Sequence, residues 1–215
     1  MKNAAAILLG FFCLVTFTRA DDTKYTEAMK NNLEQMKSMQ TVQDMVDLTN
    51  SYLRIANAEK TKWLPYYYAS YLTILTSLTD PDAAKKDTYL DEAVKTLAVA
   101  DSLQPNESEI YVLKGFLFAG RLQIDPMNRY MQYLQPMNEA YEKAKVLDPK
   151  NPRPEYLVGM TTFYTPEQFG GGAKAAKSIF ESSLKKFNEF IPKDELMPTW
   201  GKDQLEQFIK QNYPQ

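Results

Sequence analysis

Apolar residues recur along most of this chain at the three- and four-residue spacing of a single helical face. In YTEAMKNNLEQM, Tyr25, Met29, Leu33 and Met36 form one stripe. A second stripe runs through Val42, Met45, Val46, Thr49, Leu53 and Ala56, with Thr41 placed ahead of it as an N-cap. Two antiparallel helices over residues 22–58 follow from this pair. EKTKWLPYYYASYLTILTSL reads as a long aromatic helix with Pro65 in its first turn, ended by the breaker-rich TDPDAAKKD. At the far end Leu205, Phe208 and Ile209 line one side of a last helix over 199–211, with Thr199 as its cap and Lys202, Asp203 and Lys210 opposite.

Between these ends a spacing repeats. Ala93, Leu97, Ala100 and Pro105 stand at offsets 0, 4, 7 and 12, and so do Met137, Tyr141, Ala144 and Pro149. Ala176, Phe180 and Ser183 repeat the first three offsets, with Asn188 in the proline place. Ten residues after each proline comes a glycine, Gly115 and Gly159, and Tyr111 and Phe118 flank Gly115 at −4 and +3. Small residues let two helix backbones approach, bulky ones fill the space beside them, and proline ends the second helix of a pair.

This phasing resembles the tetratricopeptide repeat, a helix–turn–helix unit of roughly 34 residues. The resemblance covers about residues 60–190. It departs from the family where Trp63 to Ala93 and Phe118 to Met137 are over-long and where Lys114 precedes Gly115. The fold expected is all-α: a tetratricopeptide-like right-handed α-solenoid of about three irregular hairpins with capping helices at both ends. The stretch AGRLQIDPMNRYMQYLQ either lengthens the helices or folds over one face.

In that family the first helices of the pairs line a concave groove that binds peptides or proteins. Carried over by position, the resemblance implies groove residues Leu64, Tyr68, Tyr71, Val112, Phe116, Tyr156, Met160 and Phe163. Aromatic side chains of this kind anchor interfaces. The alternative is that the N-terminal helices or the long connection fill the groove and turn these residues into core.

Composition narrows the chemistry. The N-terminus has a short basic segment, an apolar run of 14 residues from Ala4 to Phe17, and small residues Thr18 and Ala20 before Asp21. It reads as a secretory signal peptide over 1–20, since a membrane span needs about 20 apolar residues. Residues 21–215 then form one exported helical domain, periplasmic or secreted, with no stable membrane insertion once the leader is cut. Cleavage removes Cys13, the one cysteine, and leaves 23 basic against 27 acidic residues, a net of −4. That balance argues against a nucleic-acid partner. The chain has no histidine, which excludes His-based acid–base catalysis and His-ligated zinc. No cofactor and no metal is expected.

Gly170, Gly171 and Gly172 stand together in a chain with 8 glycines. Gly170, Gly172 and Ala175 fit the G-x-G-x-x-A pattern, but TPEQF precedes them where that motif needs a strand, and no Gly-Lys-Ser/Thr occurs. Between Gly159 and Ala176 they read as a helix–helix turn, with an anion site at exposed amides as the alternative. Asp125 and Pro126 read as the cap and first residue of a helix. The three adjacent tyrosines of WLPYYY point about 100° apart on a helix and make no flat platform for a sugar.

The leading expectation is a non-catalytic envelope adaptor or scaffold whose partner is another protein or peptide. The alternative is a helical hydrolase acting on an envelope glycan through paired carboxylates, with Glu155 and Glu167 as candidates.

Overall fold

The computed structural model describes residues 12–213, with side chains from Asp22 onward. The leader expected over 1–20 lies largely outside the described residues. The described residues form nine α-helices and no strand: α1 Phe12–Met36, α2 Val42–Ala58, α3 Trp63–Thr79, α4 Ala83–Leu103, α5 Ser108–Ile124, α6 Pro126–Leu147, α7 Arg153–Tyr164, α8 Ala173–Glu189 and α9 Lys202–Asn212. A short 3₁₀ turn, Glu167–Phe169, joins α7 to α8.

Local signals set most of the boundaries. Thr41 caps α2: its hydroxyl accepts from the Asp44 amide while Asp44 accepts from the Thr41 amide, a reciprocal box. Asp125 caps α6 with Pro126 next, and its carboxylate takes the Asn128 amide. The long connection therefore lengthens α5 and α6. The last helix starts later than expected: Gly201, at φ 108°, precedes α9, and Thr199 is left in the preceding segment.

Successive helices pack as antiparallel hairpins, α3 with α4, α5 with α6 and α7 with α8. The glycine phasing explains how. A Cβ on Gly115 would fall inside the Tyr141 ring, and one on Gly159 inside the Phe180 ring. The α5–α6 and α7–α8 hairpins close by laying the aromatic ring of the second helix on bare backbone of the first. In α8, Ala176, Phe180, Ser183 and Phe187 are all buried at helical spacing, each large ring contributing about 1.5–3 kcal/mol by leaving water. α3 is buried on nearly every side, with Leu72 and Ile74 fully enclosed, so it is the central helix of the N-terminal half. Three apolar clusters follow one another along the chain: α1 to α5, then α5 to α7, then α7 to α9.

Candidate functional site

The positions inferred for a groove are not open. Leu64, Tyr68, Tyr71 and Val112 are buried, and Phe116, Tyr156, Met160 and Phe163 are half-buried. Three elements cover these positions. The N-terminal helix α2 lays Tyr52 on Tyr68, with ring centroids 5.1 Å apart, α9 brings Phe208 to 4.8 Å from Phe163, and the segment between α8 and α9, residues 190–201, covers the stretch from Tyr68 to Phe116. The Tyr68 hydroxyl donates to the Leu196 carbonyl at 2.7 Å, and the Trp200 indole N–H donates to the Tyr67 hydroxyl at 2.9 Å. The Trp200 ring stacks on Tyr71, with centroids 4.6 Å apart, and lies 6.4 Å from Phe116.

Beneath the segment lies a buried charge pair. Arg153 Nη1 meets Glu109 Oε1 at 2.8 Å, with side-chain exposures of 0% and 3%. Glu109 also accepts from Tyr67 and from Asn151, at 3.0 and 2.8 Å. The other guanidinium nitrogen, Nη2, donates to the Pro198 carbonyl, and the cation sits over the Trp200 ring. Burial pushes the Glu109 carboxyl up, against the opposing pull of Arg153 and its hydrogen bonds. Burial likewise raises the hydroxyls of Tyr67, Tyr68 and Tyr71, which keeps them protonated as donors. Glu109 and both terminal nitrogens of Arg153 are partnered within the protein, leaving only the buried Arg153 Nε without an acceptor, so the cluster acts as a clasp.

The carboxylates named for hydrolysis do not converge as a pair. Glu155 accepts from Ser182 and is ion-paired with Lys186, pinning α7 to α8. Glu167 lies exposed in the 3₁₀ turn, its side chain beside Gly172. The glycine run has spent its amides: Gly170, Gly171 and Gly172 donate to the carbonyls of Glu167, Pro166 and Thr162. Gly170 and Gly172 have φ of 83° and 92°, and a Cβ on Gly171 would collide with the Thr165 carbonyl. The run is a tight turn whose own three amides are all used within it. No group of three or more potential metal ligands occurs among the described residues.

An open apolar surface lies elsewhere. α6 has 22 residues, about 33 Å, and its antiparallel neighbour α7 has 12, about 18 Å. Thr165-Pro166 ends α7 early, so the N-terminal third of α6 has no α7 alongside it. There Met127 is 90% exposed, Met131 87% and Tyr130 46%. Leu134, next on the stripe, is half-buried against the second cluster. Because neighbouring helices alternate in direction, the end of α7 and the turn into α8 lie at the same end of the molecule. That turn region carries Tyr164 and Phe169, each 70% exposed. Met127, Tyr130 and Met131 thus place three of the nine large apolar side chains exposed among the described residues on one uncovered stretch of helix. A cavity of about 200 Å³ nearby, lined by Ser77, Leu78, Lys86, Gly120, Gln123 and Ile124, is below the roughly 300 Å³ at which ligand pockets begin. A sizeable ligand at this end meets a face, not a hole. Met127 and Met131 carry no sequence signal that separates them from core methionines. Only the early end of α7 exposes them.

No protein-family model matches the chain, and no curated protein matches it. Among solved structures it is similar to the HusA haemophore from Porphyromonas gingivalis, with a TM-score of 0.77, 28% identity, and coverage of 88% of this chain and 92% of that one.

Proposed function

We propose that this chain is an exported, non-catalytic carrier of a flat apolar ligand of the haem type. Its hairpins are read as a tetratricopeptide-like array, with the mature protein, residues 21–215, acting as one unit after loss of the leader. The observation that carries the proposal is the open Met127–Tyr130–Met131 face of α6, in a chain resembling a haemophore along nearly its whole length. Thioethers adapt their shape and suit a broad planar apolar surface. With no histidine in the chain, the groups on this face able to meet an iron are the two thioethers and the Tyr130 hydroxyl. Met127 and Met131 are one helical turn apart and point the same way, so both bear on one ligand.

Haem added to the mature protein and followed by its visible absorption band tests this. Saturable binding is expected, weakened at least about tenfold in Met127→Ser/Met131→Ser, a loss of about 1.4 kcal/mol. Both positions are exposed, so the helical circular-dichroism signal stays unchanged. Absence of binding by the parent protein removes the haem reading. Binding unchanged in the double variant removes this face from it.

A second reading is a protein- or peptide-binding adaptor or scaffold of the cell envelope. Its support is the face around Tyr68 and Tyr71, which holds a non-helical stretch of chain.

A further inference from the structure

The segment over the face around Tyr68 and Tyr71 is bound as a peptide ligand would be. It has no helix from Phe190 to Trp200, and begins its seat in a turn closed by the Met197 amide donating to the Asp194 carbonyl at 3.1 Å. Leu196 and Pro198 are buried, Met197 is half-buried and Trp200 is stacked inward, while Glu195 and Thr199 are exposed. The protein recognises its backbone at matching intervals. Tyr68 donates to the carbonyl of residue 196 and Arg153 to that of residue 198. The Trp200 indole then closes the register, donating to Tyr67, which itself donates to Glu109. One buried network thus reads two carbonyls and one aromatic side chain of an otherwise irregular segment. Outside this seat the segment is tied to the N-terminal half by Met197, half-buried against the first cluster, and by an exposed ion pair, Lys30 with Glu195 at 2.8 Å, which contributes little. Gly201, at φ 108°, marks the joint where the segment meets α9.

We infer that the face formed by Tyr67, Tyr68, Tyr71 and Arg153 is a receptor for a non-helical Leu-x-Pro-x-Trp segment, filled in cis by residues 196–200 of this chain, and that the same seat accepts such a segment in trans when the cis copy leaves. The inference is independent of haem binding, because the seat and the α6 face share no residue. The affinity seen by an added peptide is reduced by the fraction of molecules whose seat is empty, so weakening the cis segment uncovers the site.

The probe is a labelled peptide of residues 191–201, titrated by fluorescence anisotropy into the full mature chain and into its Trp200→Ala variant. Trp200→Leu serves as a second variant that keeps apolar volume but neither stacks nor donates. The peptide is expected to bind one or both variants at least about tenfold more tightly than the parent. A peptide carrying the same Trp-to-Ala change is expected to lose that binding. Circular dichroism of each variant establishes that it is folded. Equal affinity for parent and variants, or no binding to a folded variant, overturns the inference.

Discussion

Removing Glu109 tests the clasp directly. In Glu109→Ala the Arg153 guanidinium, fully buried, loses its counter-charge. The Tyr67 hydroxyl loses its acceptor, and the Asn151 side-chain nitrogen keeps only its bond to Ser108. Breaking a buried pair from one side costs about 3–5 kcal/mol, because the surviving charge stays desolvated. The orphaned donors do not add their full cost, since they belong to the same network. A loss of about 3–5 kcal/mol is a large share of the roughly 5–15 kcal/mol that holds a domain folded. Urea unfolding followed by circular dichroism measures it. Trp200 fluorescence reports the coupled effect, because the indole is bonded to Tyr67, the residue that Glu109 holds. The expected result is a midpoint shifted sharply down together with a changed tryptophan spectrum before the main transition. Replacing both partners, Glu109→Met with Arg153→Met, is expected to recover much of the loss, since no buried charge is then left alone. A Glu109→Ala protein within about 1 kcal/mol of its parent would refute the assignment of this pair as the clasp.

Two further outcomes follow from packing and charge. Gly115→Ala places a methyl in the space of the buried Tyr141 ring. Overpacking of about 1–3 kcal/mol offsets the gain of about 1 kcal/mol in helix propensity, so chemical denaturation should show a net loss of up to about 2 kcal/mol, and a stabilised variant would contradict the hairpin packing. Asp87 is held by Arg129 and Arg121, which lower its carboxyl to about 2. A depressed folded-state value means that this stability is fully present above the ordinary aspartate range near 3.8 and is lost as pH falls toward 2. Asp87→Asn should therefore be less stable than the parent at pH 7, by about 1 kcal/mol at so water-screened a cluster, with the gap closing below pH 3. A gap that persists at pH 2 would show that the carboxylate charge is not its source.

The chain's local rules are legible in its sequence. The stripes of Tyr25 to Met36 and Val42 to Ala56, the Thr41 and Asp125 caps and the glycine turn at 170–172 all depend on neighbours within a few residues. The offset sets around Gly115 and Gly159 also announce which ring lies on which glycine, because a close helix crossing needs a small residue opposite a large one. What covers the face around Tyr68 and Tyr71 is different in kind. Tyr68 meets Leu196 across 128 residues and Trp200 meets Tyr67 across 133, and no periodicity links segments that distant. The same holds for the α6 face. Met127 and Met131 sit on a stripe that reads as core, and they face water only because Pro166 stops α7 short of them. Helices were decided by the order of residues, whereas closure of the groove and exposure of the methionines were decided by where helices end in space, which no local pattern records.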